Sequence, residues 1–234
     1  MKVLGLIPAR GGSKGIPGKN IKSLQGKPLL EYTFESAKES LFLSKIVLSS
    51  DDQEIIQVAS KIGLEVPFVR PSILSTDSTP TLPVILHALD FFEEKGESFD
   101  AVCLLQTTNP FRRKGLVDES IRVFIESQAD ALISVLPVPH EFNPHWVFEP
   151  TPNGMLSIAT GESQIITRRQ DLPPAYFRDG AIYITKTSVL RNKKSLYGEK
   201  LAFIVGDVER YVNLDTPKDW EKAEILYKQL GLGN

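Results

Sequence analysis

"KVLGLIPARGGSKGIPGKN", residues 2–20, decides how the chain is read. Its apolar start is the pattern of a strand buried on both faces. Four glycines follow, Gly11, Gly12, Gly15 and Gly18, with Arg10, Lys14 and Lys19 among them. Pro28 then opens a helical repeat that sets Leu29, Leu30, Thr33, Phe34, Ala37 and Leu41 on one side. Strand, glycine-rich loop and helix form the unit of an open α/β sheet, whose ligands bind outside the C-terminal strand ends. Glycines bring backbone N–H groups close to an anion, and Lys and Arg supply the charge. Arg10, Gly11, Gly12, Ser13, Lys14 and Lys19 therefore read as a phosphate cradle. The loop is not a Walker A loop, because five residues separate Gly12 from Gly18 and Asn20 follows Lys19. Nor does it match the G-x-G-x-x-G dinucleotide fingerprint. No acid neighbours the three cations in sequence, which leaves them for a ligand.

The alternation continues outward from this unit. "KIVLSS" (45–50) reads as a second strand, and "DDQEIIQVASKIG" as a helix capped by Ser50 or Asp51 and stopped at Gly63. "EVPFVR" (65–70) reads as a short third strand at an edge, because of Pro67. Thr81 to Glu94 is predicted helical, "DAVCLLQ" (100–106) a buried strand, "LVDESIRVFIES" a helix and "DALISVLP" a strand. Residues 137–178 break the rhythm with prolines, His140, His145 and Trp146, and read as an inserted arm. "GAIYIT" (180–185) and "LAFIV" (201–205) resume strand character, and Pro217 starts a closing helix. Strands alternating with helices predict an α/β fold with a mostly parallel sheet.

Composition narrows the class. The 234 residues suit one main domain, with 41% hydrophobic and 24% charged residues. No apolar run approaches the length of a membrane span, and the five-residue run before Pro8 is too short for a signal peptide. The single cysteine, Cys103, builds neither a disulfide nor a cysteine metal site, so the cytoplasm is the expected compartment. Residues 1–30 hold Lys2, Arg10, Lys14, Lys19, Lys22 and Lys27 and no acid, although the net charge is −2. A local positive patch on an acidic chain suits a small anion rather than a nucleic acid.

Four segments together carry a resemblance: "IPARGGSKGIPGKN", "LQTTNPFR" (105–112), "RRQDLPPAYFRDGAIYIT" (168–185) and "VNLDTPKDW" (212–220). In this order they resemble the acylneuraminate cytidylyltransferases, or CMP-sialic acid synthetases. The resemblance implies a three-layer, Rossmann-like domain of the nucleotide-diphospho-sugar transferase type, covering residues 1–234, with a dimerisation arm near 137–178. It implies cytidylyl transfer from CTP to a nine-carbon 2-keto-3-deoxy sugar acid, N-acylneuraminate foremost or a legionaminate or pseudaminate relative. Arg10, Lys14 and Lys19 would bind the triphosphate, with Asn20 beside the nucleotide. Arg70 and Thr79 or Thr81 of "FVRPSILSTDSTPT" (68–81) would reach the base and ribose, and Gln106, Arg168, Arg169 and Arg178 the sugar acid. The family holds Mg²⁺ with two aspartates where this chain has Asn213 and Asp215, and it has Asn where this chain has Asp179.

Each motif has a plainer reading. Asp215 and Thr216 are also suited to cap the final helix, and Asp77 with Ser78 to form an ordinary turn. His140 and His145 lack a third soft ligand, so zinc is not expected. The resemblance also implies a homodimer whose arm reaches a partner's site. Two competing functions are a 3-deoxy-manno-octulosonate cytidylyltransferase, and a non-catalytic nucleotide-binding protein suggested by Asn213. A general anion binder is the third.

Overall fold

The computed structural model describes residues 1–232. Its first strand, β1 (Val3–Pro8), alternates its side chains between two apolar layers. Val3 and Ile7 enter one and Leu4 and Leu6 the other, so the apolar run is continuous because both faces are covered. A two-rung hairpin, β2 (Ser23–Leu24) and β3 (Lys27–Pro28), leads into α1 (Leu29–Lys38). Leu29, Leu30, Thr33, Phe34 and Ala37 are buried there as expected. Leu41 is not; the helix has ended by then, and the side chain is exposed.

The chain continues through β4 (Leu43–Ser49), α2 (Gln53–Lys61), α3 (Thr81–Glu94), β5 (Ala101–Leu105), α4 (Leu116–Glu126) and β6 (Ala131–Pro137). A small hairpin follows, β7 (Phe148–Pro150) with β8 (Leu156–Ile158), then β9 (Tyr176–Lys186), α5 (Thr187–Asn192), β10 (Leu201–Val205) and α6 (Pro217–Gln229). The main sheet has the order β10-β6-β9-β5-β1-β4. Its pairs are parallel except where β9 runs antiparallel to β5 and β6. The α/β reading thus holds, with one reversed strand inside the sheet.

Helices cover both faces. Phe34 of α1, Ile55 of α2 and Ile121 and Phe124 of α4 pack with Cys103, Leu105, Ile182 and Ile184 on one side. On the other, Ile85, Leu89 and Phe92 of α3 meet Leu4, Leu6, Val102 and Leu104. Phe92 stacks edge-on against Phe91 and Phe99, each with ring centroids 5.3 Å away. Truncating so enclosed a ring to alanine removes about 3–5 kcal/mol of stability.

Two expectations need correction. "EVPFVR" forms no strand; a single bridge joins Val47 to Glu65, and the chain then turns so that Arg70 N–H donates to the Ser50 carbonyl. The cap of α2 is Asp52, whose Oδ1 accepts from the N–H groups of Glu54 and Ile55. Ser50 and Asp51 are used elsewhere, as described below. Gly63, at φ +83°, does stop the helix in the left-handed region.

This topology positions the site. Because β1, β4 and β5 are parallel, the segments following Pro8, Ser49 and Leu105 emerge at one edge of the sheet. The reversed β9 brings its beginning, Arg178 to Gly180, to that same edge, where Val135 pairs with Arg178.

Candidate active site

The loop after β1 is pinned at several points. Ala9 N–H donates to Ser49 O at 3.0 Å, and Gly11 N–H to Asp51 Oδ1 at 3.1 Å. Ile16 is buried with Leu24, Leu29, Leu214 and Trp220. Asn20 is buried too; its Nδ2 donates to Arg10 O at 3.0 Å, and its Oδ1 accepts from Thr107 Oγ1 at 2.7 Å. Gly15 is required by close approach: a Cβ there would lie 1.9 Å from the carbonyl oxygen of Asp215.

Arg10, Ser13, Lys14, Gly15, Lys19 and Asn20 line one wall of a cleft of about 650 Å³. Gly11 and Gly12, assigned to the cradle by sequence, are not in that wall; the Gly11 N–H is already committed to Asp51. The expectation of unneutralised cations is also corrected. Arg10 Nη2 lies 2.6 Å from Asp77 Oδ1, and Lys14 Nζ 2.5 Å from Asp77 Oδ2. The hydrogen bond from Lys14, then that from Arg10, hold the Asp77 carboxyl below the usual range. Lys19 Nζ donates to Leu214 O at 2.7 Å and to Asp215 Oδ1 at 3.3 Å. These partners lie far away in sequence and are joined to the loop by the fold alone.

A second wall consists of Arg70, Leu74, Thr76, Thr79, Thr81 and Val84. Arg70 is only 4% exposed, donates from Nη2 to Ser49 O at 3.2 Å, and has no partner for Nε. Burial lowers its pKa, opposed by the Asp51 carboxylate, which comes within 3.9 Å. The Nε itself is enclosed, so Arg70 brings its charge, rather than this unmet donor, to the cleft that it lines. Thr79 Oγ1 bonds Thr76 Oγ1 at 2.7 Å, within its own turn.

Gln106, Thr107, Thr108, Arg178, Gly180, Tyr183 and Tyr211 continue the lining. Arg178 Nη1 donates to Tyr197 OH at 3.3 Å and remains largely exposed. Gly180 has φ +82°, and a Cβ there would meet Gln106 Oε1 at 3.2 Å. Asp179 also borders the cleft, but its Oδ1 accepts from Ser134 Oγ and from Ala181 N–H, so this oxygen ties β9 to β6 where their pairing shifts register between Ile133 and Val135. The buried Arg112 bonds Gln106 O, Ala181 O and Thr33 Oγ1, tying the floor of the cleft to β9 and α1; sequence reading passed over it. Arg168 and Arg169 do not join the cleft of their own chain: Arg168 pairs with Asp171 at 2.6 Å, on the exposed arm.

Asp215 and Asn213 both line the cleft. The cap of α6 is Thr216, in a reciprocal box with Asp219, so the plainer reading of Asp215 as a cap fails and its carboxylate is left for Lys19 and Asn213. Asn213 Nδ2 donates to Asp215 Oδ2 at 2.6 Å. Turning the amide over exchanges donor for acceptor and sets a carbonyl oxygen beside the carboxylate. One carboxylate and one amide oxygen fit Mg²⁺, which keeps waters and draws further ligands from phosphates. Among the described residues no group of three His, Cys, Asp or Glu is placed to hold a metal, in line with the two separate histidine–glutamate contacts of the arm. None of the described helices is long and apolar enough to cross a membrane.

Sequence reading assigned no role to Gly15, Tyr183 and Tyr211 in the cleft lining, nor to Asp77 as the partner of Arg10 and Lys14. Gly15 left a signal as a glycine of the loop, and Asp77 as the one acid in the quoted 68–81 segment.

Comparisons with known proteins agree with this geometry. A family model described as Cytidylyltransferase matches residues 4–231. A pseudaminic acid cytidylyltransferase of Campylobacter jejuni subsp. jejuni is 35% identical over 228 residues, spanning 97% of each chain. A CMP-N,N'-diacetyllegionaminic acid synthase of Legionella pneumophila is 32% identical over 227 residues, spanning 97% of this chain and 96% of that protein. A solved structure of CMP:2-keto-3-deoxy-manno-octonic acid synthetase complexed with CTP shares the fold, with TM-score 0.73 at 17% identity, covering 98% of this chain and 100% of that one.

Proposed function

Because the chain belongs to the cytidylyltransferase family, as a nucleotidyltransferase of the CMP-sialic acid synthetase type, we propose that it transfers the cytidylyl group of CTP to a nine-carbon 2-keto-3-deoxy sugar acid. The observation that carries the reading is convergence. Five segments distant in sequence deliver Arg10, Lys14 and Lys19, then Arg70, then Gln106, then Arg178, and finally Asp215 to one cleft.

In this reaction the anomeric hydroxyl oxygen attacks the α-phosphorus, the bond to the bridging oxygen breaks, and pyrophosphate leaves with its electron pair. The hydroxyl proton passes to solvent. Arg10, Lys14 and Lys19 bind the β- and γ-phosphates and offset the charge that gathers on pyrophosphate. Arg70 and the hydroxyls of Thr79 and Thr81 face the base and ribose from the opposite wall. Arg178 and Gln106 receive the sugar acid, since arginine recognises a carboxylate in bidentate fashion. Holding both substrates in one cleft turns a bimolecular encounter into a local one. Asp215, with Asn213, would hold Mg²⁺, which supplies charge stabilisation to the phosphates.

The names of the two relatives put pseudaminate and legionaminate at the head of the substrates to test. The arm supports a homodimer, because Phe142, Phe148, Met155, Leu156 and Ile165 are exposed apolar side chains along it. Arg168 and Arg169 would then reach the partner's cleft. The need for CTP supports a cytoplasmic location.

The test is pyrophosphate release from CTP and Mg²⁺ with pseudaminate, legionaminate, N-acetylneuraminate and 3-deoxy-manno-octulosonate, with ATP, GTP and UTP as controls. Release with CTP and one nine-carbon acid is expected. Release with the eight-carbon acid alone would replace the substrate, and silence with CTP bound would favour a non-catalytic binder.

A further inference from the structure

Asp77 uses both carboxylate oxygens, one on Arg10 Nη2 at 2.6 Å and one on Lys14 Nζ at 2.5 Å. Two anionic oxygens bridging two cations is also how a phosphate would engage them. The segment that carries Asp77 is otherwise bonded to itself. Leu74 N–H donates to Pro71 O, Ser75 N–H to Ser72 O, and Thr79 N–H to Thr76 O. Thr79 Oγ1 adds bonds to Thr76 Oγ1 and Ile73 O. Among the described residues, the two Asp77 ion pairs are the polar links from residues 71–79 to the rest of the molecule. The same segment brings Leu74, Thr76 and Thr79 to the cleft wall.

We propose that Asp77 is an intramolecular competitor for the phosphate-binding cations, setting the affinity for CTP and helping to expel pyrophosphate; the role in turnover rests on the cytidylyltransferase reading. A triphosphate that takes Arg10 and Lys14 must displace this carboxylate and free its segment to move against the nucleotide. Once transfer is complete, the same carboxylate competes for the cations with pyrophosphate, which shortens the product's stay. Asp77 is a positioning residue that acts through Arg10 and Lys14. The competing account is that Asp77 holds these two side chains in place for the anion. The two accounts predict opposite signs.

The experiment is calorimetric titration of the full chain with inorganic tripolyphosphate, pyrophosphate and CTP at one fixed ionic strength, for wild type, Asp77→Asn and Asp77→Glu. Losing two solvent-facing ion pairs should tighten tripolyphosphate binding by roughly three- to thirtyfold in Asp77→Asn. Asp77→Glu keeps the charge and should remain near wild type. In turnover, Asp77→Asn should lower KM for CTP and strengthen inhibition by pyrophosphate without raising kcat. Unchanged or weaker tripolyphosphate binding in Asp77→Asn would overturn the proposal, as would no binding to any of the three proteins. Wild type that takes tripolyphosphate but not CTP would sink the cytidine reading, while the Asp77→Asn comparison would still decide the role of Asp77.

Discussion

Gly15→Ala offers a demanding check on the cleft, because its effect is steric and its location is defined. Gly15 does not have a positive φ, so alanine suits its backbone conformation. The obstacle is the carbonyl oxygen of Asp215, 1.9 Å from the position of the new Cβ. Since carbon and oxygen settle no closer than about 3.3 Å, loop and carbonyl must part by roughly 1 Å or more. Neither side yields freely. Leu214 N–H is held by Thr108 O at 2.9 Å, Leu214 O receives Lys19 Nζ at 2.7 Å, and Ile16 is anchored in the core. The displacement therefore falls on Lys14, Lys19 and Asp215. A shift of ~1 Å in positioning groups costs about 10²-fold in rate, so kcat/KM for pyrophosphate release should fall by that order. Gly18→Ala is the control: at φ +62° with open space around its Cβ, it meets no atom of the site. Its left-handed conformation should cost about 1–2 kcal/mol of stability, or several degrees in Tm, with kcat/KM within about threefold. A Gly15→Ala protein within twofold of wild type would refute the close approach. So would activity that falls only in step with the folded fraction.

Asp215→Asn should cut the Mg²⁺-dependent rate by about 10²-fold, corresponding to loss of ~3 kcal/mol of transition-state charge stabilisation, while Tm barely moves because Thr216 and Asp219 cap the helix. An unchanged rate and Mg²⁺ requirement would remove Asp215 from the site. Thr216→Ala should lower stability by about 1 kcal/mol through loss of the cap, read by urea titration. The Thr216 hydroxyl, ahead of the backbone N–H groups, holds Asp219 below the usual carboxylate range. Its contribution is therefore full above about pH 4 and fades as pH falls through the lowered folded value; a cost of Thr216→Ala that grows on acidification would contradict this. Cys103 is fully buried, and burial pushes its thiol up to about 12, so labelling by a maleimide should wait for unfolding and run at least ~10³-fold slower in native buffer than in denaturant. Labelling at similar rates would show an open strand.

The strands were legible because burial on both faces leaves a continuous apolar run, which β1 and β5 have and β6 breaks only at Ser134. "EVPFVR" also carries apolar residues, Val66, Phe68 and Val69, but has a different task, since after Glu65 the chain leaves the sheet to deliver Arg70 to the cleft. The run Ser50-Asp51-Asp52 was ambiguous because all three residues suit a cap. The structure divides the work: Ser50 O receives Arg70 N–H, Asp51 receives Gly11 N–H, and Asp52 caps α2. A local pattern identifies a residue type suited to a role but not which of three neighbours takes it. The pairings of Asp77 with Arg10 and of Asp215 with Lys19 lay beyond any local pattern, being created only when separate segments meet at the sheet edge.

Under the proposed function, those two pairings account for how a loop with three cations would serve turnover rather than mere capture. Arg10, Lys14 and Lys19 face two carboxylates from separate segments, one on a self-contained turn and one on the residue whose carbonyl lies against Gly15. A cradle of bare cations would bind CTP and pyrophosphate alike, and tight binding common to ground state and transition state lowers KM without raising kcat. Resident acids subtract from that uniform binding. The same acids make affinity depend on the number of charges a ligand brings. A triphosphate can replace Asp77 on Arg10 and Lys14 and still reach Lys19, whereas a monophosphate, with only about two negative charges, brings less to offset the loss of the carboxylate.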